Sequence, residues 1–450
     1  MKLLRVAFLA LVVIWPGATA ASADGPGGEV VVYRGAILID GTGAPPRPDM
    51  DIVVEGERIA AVRPAGQPAP AQARVVDASG LYVLPGLIDD HVHMATPPDA
   101  AQARGVLRRQ LYSGVTAVRD MADDLRSVAE LAREARTGEI PAPDIHFAAL
   151  MAGPSFFDDP RTGAAAQGYA PGTAPWMQAV TPETDMPLAI AMARGTGADA
   201  VKIYANLDGA MVRRIAEEAH RQGLKVWSHG MVFPATPQEV LDARPDVVSH
   251  TCYLAYQLNA KKPGSYQDPT PVEGAAFANG VPPQMSAIFA RMKAEGVILD
   301  ATTRVYVEAE EAHARTGKGR PPRCASTLGF ELTAQAYRAG VQIAAGTDGE
   351  TDWREPYPSL HEELELLSRK VGMPNLEVIR SATQIGARAM GQEAQMGTVE
   401  PGKLANLVFV KADPVADIAN LRTVAFTVKR GAVYKREAYR PITAEEGERP

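Results

Sequence analysis

Short apolar runs broken by Gly, Pro and charged turns dominate both ends of the chain. Val30–Tyr33, Ala36–Ile39, Asp51–Val54 and Arg58–Val62 read as strands near the start. Leu407–Val410, Val424–Val428 and Ala432–Tyr434 repeat the pattern near the end. The two sets predict one small β-sandwich built from both termini, over residues 24–84 and 396–441.

Between them the pattern alternates. Apolar runs at Leu84–His91, Thr116–Arg119, Ile145–Leu150, Ala200–Tyr204, Lys225–Ser228, Val247–Ser249, Val297–Asp300 and Val341–Ala345 are separated by stretches of helical period. In Ala210–Arg221, Met211, Ile215 and Ala219 share one face, Glu217 and Glu218 fall on the polar one, and Gly223 closes the helix. Ser359-Leu360-His361-Glu362 has the spacing of a capping box opening a second helix, and a third is expected over about 376–390. Eight strands alternating with helices over residues 85–395 predict a (β/α)8 barrel, an α/β fold. The two long irregular stretches, Ala152–Pro182 and Thr251–Pro283, follow strands and therefore belong at the C-terminal rim.

Residues 1–23 follow a different pattern. Lys2 and Arg5 precede an apolar run from Val6 to Trp15, and small residues up to Ala23 offer Ala-x-Ala sites. These are the parts of a secretory signal peptide, too short for a permanent membrane span. The expected location is periplasmic or secreted. Cys252 and Cys324 are the only cysteines. A disulfide scaffold of an oxidising compartment normally has more, so two unpaired buried thiols are expected. With 46% hydrophobic residues, 22% charged residues and a net charge of −7, the composition is that of a soluble globular protein. No basic block supports a nucleic-acid partner. A homo-oligomer stays open.

The candidate chemistry gathers at strand ends. His91 and His93 lie two apart on a strand, so both side chains face one way. Two neutral imidazoles so placed suit a divalent cation such as Zn2+, although a His-x-His alone also fits two half-exposed histidines. Lys202, His229, His250 and Asp348 sit at the ends of four further predicted strands, where a barrel delivers side chains to its mouth. Lys202 has two readings: an ion pair with a nearby carboxylate, or a desolvated neutral amine that takes up carbon dioxide as a carbamate bridging two cations. Asp348 suits a general acid–base beside water whose pKa a metal lowers to about 7. Tyr204, two residues beyond Lys202, is a candidate for holding a substrate carboxylate or carbonyl, with packing at the rim as the other reading, and Arg304, just after the seventh strand, is a candidate for binding a carboxylate.

The stretch Pro85-Gly86-Leu87-Ile88-Asp89-Asp90-His91-Val92-His93, with Ser359–Leu364, Ser381-Ala382-Thr383 and Gly397–Leu407, resembles the signatures of the amidohydrolase superfamily. The likeness is greatest to its imidazolonepropionase-related branch, which includes Xaa-Pro dipeptidase-like and lysine- or arginine-releasing carboxypeptidase-like enzymes. Where the family usually carries Asp, this chain has Asn406. The resemblance implies two divalent metal ions, with His91, His93 and Asp348 on one, His229 and His250 on the other, and carboxylated Lys202 on both. It also implies a metal-activated hydroxide that cleaves an amide bond, in a dipeptide or an N-acyl amino acid. A lactam, lactone, carbamate or organophosphate ester is the alternative bond, and a non-catalytic periplasmic metal- or ligand-binding protein the alternative class.

Overall fold

A computed structural model of the protein describes residues 29–278, 280–317, 322–349 and 352–447. The expected signal peptide, residues 1–23, lies outside the described residues. No described helix is long and apolar enough to cross a membrane.

Five strands come first: β1 (Val30–Leu38), β2 (Arg47–Glu55), β3 (Arg58–Pro64), β4 (Arg74–Asp77) and β5 (Tyr82–Pro85). The barrel strands follow as β6 (Leu87–Val92), β7 (Val115–Asp120) and β8 (Asp144–Ala152), then a small hairpin, β9 (Thr173–Ala174) and β10 (Met177–Ala179). Five more complete the barrel: β11 (Ala200–Ile203), β12 (Lys225–His229), β13 (Val247–Ser249), β14 (Ile298–Asp300) and β15 (Ile343–Ala344). The chain ends on β16 (Leu407–Val410), β17 (Val424–Lys429) and β18 (Ala432–Lys435).

Strands β6, β7, β8, β11, β12, β13, β14 and β15 pair in parallel, each with the next. The Asp90 amide donates to the Ala345 carbonyl at 2.9 Å and ties the last strand back to the first. This is the (β/α)8 barrel that the alternation predicted.

The terminal strands form one sheet in the order β18-β17-β16-β5-β1-β2-β3, with β4 also on β1. Its own core includes Tyr33, Leu38, Ile52, Phe409 and Val428. The Phe409 ring lies 4.9 Å from Tyr33 and 4.3 Å from Phe426. The expected runs at Val30–Tyr33 and Ala36–Ile39 belong to a single strand, β1, whose pairing with β2 shifts register between them. Asn406 immediately precedes β16 and accepts from the Arg430 amide through its side chain.

Three expectations need correction. The run Leu84–His91 is not one strand: β5 pairs with β1 and β16 in the terminal sheet, and β6 opens the barrel. The chain passes between sheets at Gly86, where a Cβ would lie 2.1 Å from Thr116 Oγ1, so only glycine fits. Ser359 does not cap its helix; its hydroxyl donates to the Gly349 carbonyl at 2.6 Å. Cys252 and Cys324 are not free thiols but a disulfide, their Cα atoms 6.1 Å apart across 72 residues of sequence. Only the folding of two distant rim segments onto each other creates that proximity.

The barrel floor is apolar. Trp227 fills it among Ala148, Ala200, Val247, Ile298 and Ala344, joined from below by Ile385 and Ala389. The small residues leave room for the indole, whose Nε1 donates to the Ala389 carbonyl at 3.1 Å. The helix expected near 376–390 reaches this floor through one π-helical stretch, Ser381–Ile385.

His361 is buried and its Nε2 donates to the Ser113 carbonyl at 3.0 Å. Burial, with Arg422 nearby, pushes its pKa down to about 3. The folded chain therefore refuses a proton that the unfolded chain accepts near pH 6.5. Stability should fall as pH drops from about 6.5 towards 3, this histidine contributing at most about 1.4 kcal/mol per pH unit. Denaturant unfolding followed from pH 6.5 to 4.5 should show a shallower decline in His361→Gln; an unchanged slope would remove His361 from the acid response.

Candidate metal centre at the barrel mouth

The ends of five barrel strands bring His91, His93, Lys202, His229, His250 and Asp348 to one place. The rings of His91 and His250 lie 5.0 Å apart, those of His229 and His250 4.8 Å, and those of His91 and His93 5.6 Å. Asp348 Oδ1 is 3.4 Å from Nε2 of both His91 and His93. Its Oδ2 is 3.8 Å from His250 Nδ1.

The backbone helps to aim these groups. His250, Thr302 and Asp348, each just beyond a strand, have φ of 71°, 49° and 50°. Left-handed backbone at non-glycine residues costs of order 1–3 kcal/mol and collects at functional sites. Between Asp348 and its strand, Gly346 lets the chain pass close to the site. A Cβ there would sit 2.2 Å from Asp300 Oδ1 and 2.8 Å from the His91 Cβ.

Beneath the histidines lies a buried polar layer. Asp300 Oδ2 meets His91 Nδ1 at 2.7 Å, Arg119 Nη2 at 2.9 Å and Ser249 Oγ at 2.8 Å. His93 Nδ1 meets Asp123 Oδ1 at 3.1 Å, and His250 Nδ1 meets Thr302 Oγ1 at 2.9 Å. Each contact fixes a ring, and in His91 and His93 it leaves Nε2 facing Asp348, the arrangement that metal-binding histidines use. His229 Nδ1 is buried with no hydrogen-bond partner among the described residues.

Electrostatics favour neutral donors at three of the four histidines. Burial holds the pKa of His91 down, that of His229 well down and that of His250 at about 3. Burial also acts on His93, but Asp123 and Asp348 outweigh it and lift the ring to about 10. Asp348 is desolvated too, yet His91, His93 and His250 hold its carboxyl below the usual range, so it is ionised at neutral pH. Lys202 is fully buried, and its Nζ lies 3.4 Å from Ser249 Oγ. Desolvation lowers its pKa to about 7, against the pull of Asp300 and with the push of Arg119.

A cavity of about 490 Å³ opens over these groups. Phe156, Arg161, Tyr204, Tyr253, Tyr266 and Arg323 line it beside His93, His229, His250 and Asp348. The two rim insertions supply Phe156, Arg161, Tyr253 and Tyr266, as their place after strands implied. Tyr204 faces the cavity, its ring 4.2 Å from His229 and 4.5 Å from Phe156. Arg304 is placed elsewhere. It pairs with Glu362 and Glu308, its amide donates to Glu363, and it does not line the cavity.

Sequence reasoning did not single out Asp123, Arg119, Asp300 or Arg323. Asp300 ends the seventh predicted strand, so the rule that found the other strand-end residues also reaches it. Asp123 and Arg323 lie in loops and carry no periodic signal.

The residues fit a divalent cation. Donor atoms of His91, His250 and Asp348 all lie within 4.8 Å of one another, and the unpartnered His229 nitrogen adds a neutral imidazole next to them.

Known proteins resemble this chain in fold and in parts of its sequence. A solved Xaa-Pro dipeptidase structure, with methionine in its active site, superposes with a TM-score of 0.71 at 21% identity, covering 90% of this chain and all of that one. At 21% identity this likeness speaks for the fold. D-hydantoinase of Streptomyces coelicolor is 35% identical over 111 residues, 23% of this chain and 22% of that protein. Adenine deaminase of Rubrobacter xylanophilus is 40% identical over 76 residues, 17% of this chain and 12% of the deaminase, so the match spans about an eighth of that relative. The model of the amidohydrolase family matches residues 82–434, from β5 through β18. The chain belongs to the amidohydrolase family.

Proposed function

We propose that the protein hydrolyses an amide bond, in a dipeptide or an N-acyl amino acid, with two divalent cations held at the barrel mouth. The observation that carries this is the meeting of His91, His93, Lys202, His229, His250 and Asp348 beneath one cavity. His91, His93 and Asp348 would hold one ion, His229 and His250 the other, and Lys202 would serve both; Zn2+ suits a set this rich in imidazole. Bound ions supply Lewis acidity, polarising the scissile carbonyl and making water nucleophilic at neutral pH.

The chain's own groups account for the rest. Asp348, ionised among three histidines, accepts a proton from the attacking water and hands it to the leaving nitrogen. Asp300 and Asp123 hold His91 and His93 in fixed tautomers. Lys202 acts as a carbamate: its amine, neutral in part at pH 7, attacks carbon dioxide through nitrogen and releases one proton to solvent, leaving one negative charge shared by two oxygens. The lowered pKa of Lys202 and the lack of a direct carboxylate partner among the described residues support that form over a simple ion pair.

The Xaa-Pro dipeptidase that shares this fold and the D-hydantoinase relative support the carbon–nitrogen bond as the target. The Cys252–Cys324 bridge supports an exported protein, because thiols stay reduced in the cytosol.

Metal analysis with a panel of dipeptides and N-acyl amino acids tests the reading. Two ions per chain with amide cleavage is expected; two ions without turnover of any amide would overturn it. Lys202→Ala should lose at least one ion and drop kcat by about a thousandfold or more, a loss of roughly 4 kcal/mol of transition-state stabilisation. Short carboxylic acids should restore part of that activity, and full activity without them would exclude the carbamate. Asp300→Asn, which unsettles the His91 ring, should weaken metal affinity about 10- to 100-fold in a chelator titration.

A further inference from the structure

Two arginines line the cavity, and their charges are placed differently. Arg161 is matched: its Nε and Nη2 donate to Asp159 at 3.0 and 2.8 Å. Arg323 has no ion pair among the described residues. Its guanidinium stacks on Phe233 and Tyr266, 5.3 and 5.4 Å from the ring centres, and Nη2 donates to the Tyr266 carbonyl. The Tyr256 hydroxyl is also close enough for Arg323 to act on it, but Arg323 Nη1 is buried and has no hydrogen-bond partner among the described residues. A desolvated guanidinium nitrogen without an acceptor is costly, and a carboxylate is the partner that its planar fork fits.

The position relative to the metal centre is informative. The Tyr266 ring lies 6.3 Å from that of His229, so one aromatic ring separates Arg323 from the histidines. Arg323 directly precedes Cys324, and Cys252 follows His250 by two residues. The disulfide therefore joins the segment carrying a candidate metal ligand to the segment carrying the unpaired arginine. The Val272 amide donates to the Arg323 carbonyl at 2.8 Å and holds the backbone in place.

We propose that Arg323 binds the free carboxylate of the substrate's C-terminal residue, and that the Cys252–Cys324 bridge positions it at a fixed reach from the metal centre. This rests on the amide-hydrolase reading above and narrows it. Substrates with a free carboxylate one residue beyond the scissile bond are selected, and their C-terminal amides are refused. Arg323 is thus a specificity-determining residue, while the disulfide acts only through it.

Steady-state kinetics of the metal-loaded enzyme on matched pairs, a dipeptide or N-acyl amino acid and its C-terminal amide, test the proposal. The wild type should prefer the acid. Arg323→Gln should raise KM for the acid about 30-fold, the scale of one charge-assisted hydrogen-bond pair, and collapse the acid-to-amide preference while kcat moves little. Arg323→Lys should recover part of the preference, and Arg161→Gln should keep it. Joint Cys252→Ser and Cys324→Ser substitution, or reduction of the folded wild type by a phosphine that does not strip metal, should raise KM for the acid with metal content unchanged. A merely stabilising bridge would instead lower the unfolding temperature and leave KM where it was. Equal turnover of acid and amide by the wild type, or an Arg323→Gln enzyme that keeps the preference, would overturn the inference and leave amide hydrolysis standing. Turnover of neither would overturn both.

Discussion

One buried carboxylate oxygen organises the mouth of this barrel. Asp300 Oδ2 meets Arg119, Ser249 and His91 at 2.7–2.9 Å, so residues of three strands besides its own converge on it. Such a group is costly to bury unless it is fully partnered. Here burial works against its charge, but His91 and Arg119 outweigh burial and hold its pKa below the ordinary range. The same contacts fix the His91 ring, orient Ser249 next to Lys202, and anchor Arg119 over the Trp227 ring 4.7 Å away.

The interior is therefore stacked in three levels. Trp227 and small residues close the floor, with Ile385 and Ala389 brought up by the π-helical turn. Arg119, Lys202, Ser249 and Asp300 form a buried polar layer above it. The histidines and Asp348 complete the top, and His93, His229, His250 and Asp348 face the cavity. Each level depends on the one below. The apolar floor keeps water from Lys202, and that desolvation leaves its amine partly neutral. The terminal sheet stays clear of this stack, so the change from the family's usual Asp to Asn406 falls away from the chemistry.

Much of this was legible from strand ends. His91, His93, Lys202, His229, His250 and Asp348 could be picked out because a barrel strand carries its last inward side chain to the mouth. The same logic put the two insertions at the rim, and they line the cavity there. It did not reach Arg304, whose place after the seventh strand suggested a carboxylate ligand. Glu362 and Glu363, from a helix sixty residues on, capture its side chain and amide instead. Ser359 carried a capping-box spacing but turned its hydroxyl to Gly349, because a loop carbonyl from outside the helix lay within reach.

Periodicity and strand-end chemistry, both local properties, are thus what the sequence by itself determined: an alternating barrel, a sheet drawn from both termini, and the six residues at the mouth. Contacts between distant segments were decided only by the tertiary structure. Cys252 and Cys324 looked like separate thiols until two rim segments met, and the run through Pro85 and Gly86 looked like one strand until two sheets claimed its halves. Arg323 had no periodic signal, and only the folded chain sets it against Phe233 and Tyr266 with one guanidinium nitrogen buried and without a hydrogen-bond partner among the described residues. The reason is physical. Side-chain period is set by the backbone within a few residues, whereas desolvation and pairing depend on what the folded chain brings alongside.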